Sequence, residues 1–88
     1  MSVMKIQVLF FAGAREAVGL AEESIEIPDH VKNLGQLRDW YVARGEPWAS
    51  ALAATSAIRA ALNHAVCDWD AQLTPNAEVA FFPPVTGG

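Results

Sequence analysis

The residues most suited to take part in a chemical reaction are the last six, PPVTGG, at positions 83–88. Two prolines stop strand pairing and impose a stiff, extended course, and six extended residues span roughly 20 Å. Since glycine has no side chain, a carboxylate on Gly88 would pass through a narrow slot in another protein. Adenylation by ATP would activate that carboxylate, and a sulfur nucleophile would convert it to a thiocarboxylate, itself a sulfur donor. The alternative is a frayed tail that happens to finish in two glycines.

Other side chains give weaker grounds for chemistry. His30 and His64 have no carboxylate or nucleophile at a characteristic spacing, so both are predicted to be surface histidines. Cys67 is the single cysteine and is predicted to be a buried thiol or a modestly exposed structural one rather than a nucleophile. His64, Cys67, Asp68 and Asp70 match no strong zinc pattern, so no metal site is predicted. No catalytic constellation and no bound cofactor are therefore expected.

Composition limits the function further. A chain of 88 residues has room for one core, yet 52% of its residues are apolar and only 18% are charged, against about 25% charged in typical domains. This apolar surplus favours an exposed partner-binding face. The net charge of −4 and the lack of a basic run argue against nucleic-acid binding.

The chain also lacks the features of a membrane or secreted protein. Its longest apolar run, at residues 8–12, is far shorter than the roughly 20 residues that span a bilayer. The N-terminus has no apolar signal-peptide region, because Gln7 interrupts it. A single cysteine cannot form an internal disulfide. We therefore expect a cytoplasmic protein without membrane contact.

The order of predicted elements indicates an α+β fold. Alternation and turn residues predict strands at 4–11, 24–27, 58–62, 65–67 and 78–82, with a short helix at 14–18 and a loose helical turn or loop at 49–54. Asn33 and Gln36 suit a capping box for the main helix, whose apolar stripe is Leu34, Leu37 and Tyr41. Gly45 would end this helix. The result is a mixed sheet with one main helix on one face.

Strand alternation predicts where part of the apolar surplus lies. Lys5 and Gln7 mark one face of the first strand as solvated, and Glu78 does the same for the last. The apolar residues that share those outward faces are Leu9, Phe11, Ala80 and Phe82. If the two strands are neighbours, these four residues form an exposed apolar patch. The competing interpretation is that Phe11 and Phe82 fold over the sheet edge into the core.

Several segments resemble the small, sulfur-carrying subunits of molybdopterin synthase. They are KIQVLFFA at residues 5–12, the pair Arg15-Glu16, Asn63 and, above all, EVAFFPPVTGG at residues 78–88. The resemblance covers essentially the whole chain, although residues 46–57 match loosely. It implies a β-grasp, ubiquitin-like domain at residues 1–82 and a flexible C-terminal tail at residues 83–88.

The resemblance also implies a mechanism. An ATP-dependent activating enzyme adenylates the terminal glycine, and a persulfide protein supplies the sulfur for a thiocarboxylate. The tail then inserts into the large subunit of a heterotetrameric synthase. There the sulfur passes to cyclic pyranopterin monophosphate and builds the dithiolene of molybdopterin. In this scheme the chain is a sulfur-donating, non-catalytic subunit.

Site residues follow from the same resemblance. Gly88 would carry the sulfur, and the inserted tail would comprise Pro84, Val85, Thr86 and Gly87. The partner-binding residues would be Phe11, Arg15, Val66 and Phe82, with Leu9 and Ala80 added by strand alternation. Val66 stands where the family often has leucine, which is a mild departure. Three alternatives stay open: the sulfur carrier of thiamine thiazole synthesis, a ubiquitin-like protein modifier, and a plain interaction module.

Overall fold

The computed structural model describes residues 3–53 and 57–83 and contains five strands and three helices in these ranges. The strands are β1 (Val3–Phe10), β2 (Glu22–Pro28), β3 (Arg59–Leu62), β4 (Ala65–Cys67) and β5 (Glu78–Phe82). The helices are α1 (Ala12–Val18), α2 (Leu34–Ala43) and α3 (Trp48–Leu52). None of the helices in the described ranges is long and apolar enough to cross a bilayer.

The strands form one mixed sheet in the order β2-β1-β5-β3-β4. The first and last strands, β1 and β5, are parallel neighbours, and the other three pairings are antiparallel. β5 therefore lies in the middle of the sheet, between β1 and β3. The first and last strands are therefore neighbours, which is the condition stated above for the apolar patch.

The core lies between one face of the sheet and α2. The stripe predicted for this helix, Leu34, Leu37 and Tyr41, is fully buried. The ring of Tyr41 meets Phe10 and Phe81 edge-on, with centroid separations of 5.8 and 6.0 Å. Aromatic pairs in this geometry stabilise a fold by more than the burial of their apolar area alone.

Capping explains where α2 begins. The side chain of Asn33 accepts a hydrogen bond of 2.8 Å from the backbone N–H of Gln36, as predicted. The Gln36 side chain accepts from the N–H of Lys32 at 2.7 Å rather than from that of Asn33, so the reciprocal bond is shifted by one residue. Gly45 follows the helix with a φ of +91°, which suits its predicted role at the end.

A polar cluster fastens α2 to β2. The hydroxyl of Tyr41 donates to Glu23 at 2.9 Å, and Arg44 forms an ion pair of 3.0 Å with the same carboxylate. The guanidinium of Arg44 also lies 4.0 Å from the ring centroid of Trp48. Burial and the hydrogen bond to Glu23 raise the pKa of Tyr41 far above its ordinary value.

Several of the predicted elements need correction. β1 ends at Phe10, because Phe11 already serves as the N-terminal cap of α1. α1 begins at Ala12 rather than at residue 14, and the segment predicted as a loose helical turn or loop at residues 49–54 contributes to a short helix, α3, that begins one residue earlier, at Trp48. Ile25 shares the inner face with its cross-strand partner Ile6 and packs against the core, but it is only half-buried, because β2 is an edge strand.

Candidate functional site

An apolar row crosses the face of the sheet that points away from α2. The strand registers align Leu9 with Ala80, Ala80 with Ala61, and Ala61 with Val66. Phe82 belongs to the same face of β5, and Phe11 directly follows β1. We call these six residues the apolar patch: Leu9, Phe11, Ala61, Val66, Ala80 and Phe82.

Exposure separates the patch from the core. Phe11 and Val66 are 47% and 60% exposed, while Leu9, Ala80 and Phe82 are half-buried. The outward placement predicted from alternation is confirmed, and the idea that Phe11 and Phe82 fold into the core is wrong. Ala61 is only 8% exposed although it lies on this outer face. Its small side chain lies between those of Ala80 and Val66 on the neighbouring strands.

The backbone around Phe11 holds this residue in place. Its N–H donates to the carbonyl of Phe81 at 3.0 Å, and its own carbonyl accepts from the N–H groups of Ala14 and Arg15 at 3.1 and 3.3 Å. Ala12 has a φ of +49°, a left-handed conformation that alanine rarely adopts. Hydrogen bonds therefore fix the backbone of Phe11 on both sides, while the residue itself stays exposed.

Polar side chains cover the rest of the outer face. Gln7 donates a hydrogen bond to Glu22 and accepts one of 2.6 Å from Ser24. On the other side of Gln7, Glu78 lies 3.0 Å from Nε2 of His64. These contacts satisfy the side chains locally, so the outer face has a self-contained polar half and an uncovered apolar half.

Two arginines border the apolar half. Arg15 lies on α1 beside Phe11, and Arg59 is the cross-strand partner of Phe82. Both are exposed, and no carboxylate in residues 3–53 or 57–83 lies within 4.0 Å of either guanidinium. Sequence reasoning singled out Arg15 but missed Arg59 and Ala61. The available signal was the charge of Arg59, which marks one face of β3 as outward and places Ala61 on it.

Comparison with known proteins places the chain in a family. The model of the ThiS family matches residues 8–88. The chain belongs to the ThiS family. It is 42% identical over 83 residues to the molybdopterin synthase sulfur carrier subunit of Escherichia coli, covering 94% of this chain and 99% of that one. The Haemophilus influenzae protein of the same name is 34% identical over the same shares.

Solved structures of other proteins have the same architecture as this ThiS-family chain. A Pyrococcus furiosus protein proposed to be molybdopterin converting factor subunit 1 superposes with a TM-score of 0.76 at 26% identity, covering 93% of this chain and 99% of that one. A ubiquitin from Caldiarchaeum subterraneum superposes with a TM-score of 0.57 at 14% identity, covering 99% and 100%, and shows the fold alone. The predicted α+β, β-grasp fold is confirmed.

The two histidines and the cysteine considered above lie at surface or partly buried positions in this member of the ThiS family. His30 and His64 are exposed, as predicted. The thiol of Cys67 is half-buried and donates to the carbonyl of Ala65 at 3.2 Å. Over residues 3–53 and 57–83, no three acidic, histidine or cysteine side chains gather as a metal site would require.

The described residues stop just before most of the predicted tail. Pro83 is half-buried and directly follows β5. The tail residues predicted to function, Pro84, Val85, Thr86, Gly87 and Gly88, lie outside the described residues. The structure therefore locates the start of the tail, next to Phe82 and the apolar patch.

Proposed function

We propose that this chain is the sulfur carrier subunit of a molybdopterin synthase. The observation that carries the proposal is the uncovered apolar patch at the end of β5, where the chain enters residues 83–88. Family membership supports it, since the family model extends through Gly88. So do two relatives, at 42% and 34% identity, that are named for this role.

The patch would bind the large subunit of the synthase. Phe11 and Val66 are large side chains exposed at 47% and 60%, and partners commonly cover such residues. Phe82 is both a patch residue and the last residue of β5. Docking of the patch therefore brings residues 83–88 against the same partner, and the tail is expected to insert there.

Gly88 would carry the reactive group. An activating enzyme would use ATP to adenylate its carboxylate, with release of pyrophosphate. The outer sulfur of a persulfide protein would then displace AMP, and a thiol would cleave the resulting acyl disulfide to leave the thiocarboxylate and a disulfide. The resulting thiocarboxylate would donate sulfur to cyclic pyranopterin monophosphate within the large subunit. The cytoplasmic location and the heterotetramer stay predictions of the same proposal.

Intact-mass analysis of protein purified from its native host tests this function. We expect a fraction of the chain to carry sulfur in place of one terminal oxygen. A variant that lacks Gly88 is the control and should contain none of this species. Absence of the sulfur-bearing fraction from cells that are making molybdenum cofactor would contradict the proposal. Gly-Gly remnants on lysines of other proteins would indicate a protein modifier instead.

The sulfur carrier of thiamine thiazole synthesis is distinguished genetically. Deletion of this chain should abolish molybdenum-enzyme activity and leave growth without thiamine unchanged. A thiamine requirement with normal molybdenum-enzyme activity would assign the chain to the other pathway.

A further inference from the structure

Arg59 occupies a distinctive position at the start of the tail. It is the first residue of β3 and pairs with Phe82 across the β3–β5 ladder. Cross-strand partners point to the same face of a sheet, so the side chains of Arg59 and Phe82 both point outward. The exposed guanidinium thus borders the apolar patch where the chain enters residues 83–88.

Arg59 differs from the arginines that stabilise the fold. Arg38 stacks on Trp69 at 4.3 Å, and Arg44 stacks on Trp48 at 4.0 Å. No such ring contact and no ion pair within 4.0 Å involves Arg59 in the part of the chain that the structure describes. Asp68 would face Arg59 if β4 were one residue longer, but the ladder stops at Cys67.

Docking changes the surroundings of this charge. A partner that covers Phe82 also removes water from the neighbouring guanidinium, and a buried charge without a counter-charge carries a large penalty. The planar guanidinium is best matched by a carboxylate, which accepts two parallel hydrogen bonds. A phosphate at the reaction centre is a poor candidate, because six extended residues place Gly88 up to roughly 20 Å beyond the patch.

We propose that Arg59 pairs with a carboxylate on the partner subunit, at the point where the tail enters it, and thereby orients docking. This inference rests on the proposed function, because it takes the large subunit of molybdopterin synthase as the partner. The charges of the outer face are unevenly distributed, since its acidic residues are Glu78, toward the other end of β5, and Glu22 and Glu26, on the edge strand β2. A partner carboxylate placed beside Phe82 therefore meets the guanidinium of Arg59 in this orientation.

Binding of the full chain to the large subunit from the same organism tests the pairing. Arg59→Glu should weaken the affinity by at least about tenfold, while Arg59→Lys retains part of it. Lys32→Glu is the matched control, because it makes the same charge change at an exposed residue before α2 and should alter the affinity less than about twofold. Thermal unfolding should be similar for all the variants.

The salt dependence and a reversed charge on the partner provide the decisive readouts. Binding of the Arg59→Ala variant should depend less on salt than binding of the unmodified chain. A carboxylate-to-lysine change on the large subunit should restore binding to Arg59→Glu. If Arg59→Glu and Lys32→Glu change the affinity equally and the salt dependence is unchanged, the proposed role of Arg59 is overturned. The proposed function would not be affected by that result. If the unmodified chain fails to bind the large subunit, the proposed function itself is contradicted.

Discussion

The two faces of the sheet contain similar apolar residues with different surroundings. On the inner face, Phe10, Val79 and Phe81 are at most 1% exposed, because α2 covers them. On the outer face of the same two strands, Leu9, Ala80 and Phe82 stay partly exposed, because no described element covers them. Apolar character alone therefore does not identify a core residue. Alternation, together with the position of the covering helix, separates residues that stabilise the fold from residues available to a partner.

The largest difference between the two faces is expected when Phe81 and Phe82 are substituted, since these residues are adjacent and of the same type. Phe81→Ala should lower the free energy of unfolding by about 3–5 kcal/mol, because it opens a cavity beneath Tyr41. Phe82→Ala should lower it by less than about 1 kcal/mol and weaken binding to the large subunit by roughly tenfold or more. Urea denaturation and a binding assay measure the two effects. A loss of stability as large for Phe82→Ala as for Phe81→Ala would show that the outer face is core.

Two alanines provide a test of intermediate size by adding volume. Ala60 faces the core at 2% exposure, so Ala60→Leu should destabilise the fold by about 1–3 kcal/mol through overpacking. Ala80 lies on the outer face beside Ala61, so Ala80→Leu should change stability by less than about 0.5 kcal/mol. It should nevertheless reduce partner binding, because the larger side chain changes the shape of the apolar patch. Unchanged binding of the Ala80→Leu variant would exclude Ala80 from the interface.

The smallest expected change in stability concerns Tyr41, the only tyrosine of the chain. It belongs to α2, the helix that packs on the inner face of the sheet. Burial and the bond to Glu23 raise its pKa in the folded state, so the folded protein keeps a proton that the unfolded chain loses above about pH 10. The stability associated with this proton is therefore fully present below pH 10 and falls above it, by up to about 1.4 kcal/mol per pH unit. The Tyr41→Phe variant should lack this component. Urea midpoints of both proteins from pH 8 to 11 measure the difference.

A spectroscopic titration checks the same prediction independently. Tyrosinate absorbance of the folded protein should be absent near pH 10 and should appear only as the chain unfolds. Ionisation of Tyr41 at its ordinary pKa in the folded state would contradict the role of burial.

Local patterns predicted the parts of the fold that local chemistry determines. The last strand was predicted at residues 78–82 and is observed at Glu78–Phe82. Asn33 caps α2 as its residue type suggests, and outward residues were identified because charged neighbours marked their face. The outward placement of Phe82 followed from Glu78, four residues earlier on the same strand.

Features that depend on distant pairing were not predictable in this way. Glu23 contacts Tyr41 and Arg44 across 18 and 21 residues, and nothing in the local pattern of either segment indicates the contact. The left-handed conformation of Ala12 arises from the turn between β1 and α1, although alanine does not favour it. Arg59 gained its place beside Phe82 only through the β3–β5 register.

The central position of β5 has a consequence for how tightly the tail itself must bind. With ladders on both sides, β5 holds the start of residues 83–88 at a fixed distance from any partner docked on the patch. If the chain acts as proposed, patch and tail are two linked binding elements, and a short linker gives the second an effective concentration in roughly the millimolar range. On the proposed function, the tail needs only weak affinity of its own for the partner's slot. Weak affinity would let the spent carrier leave and be charged with sulfur again.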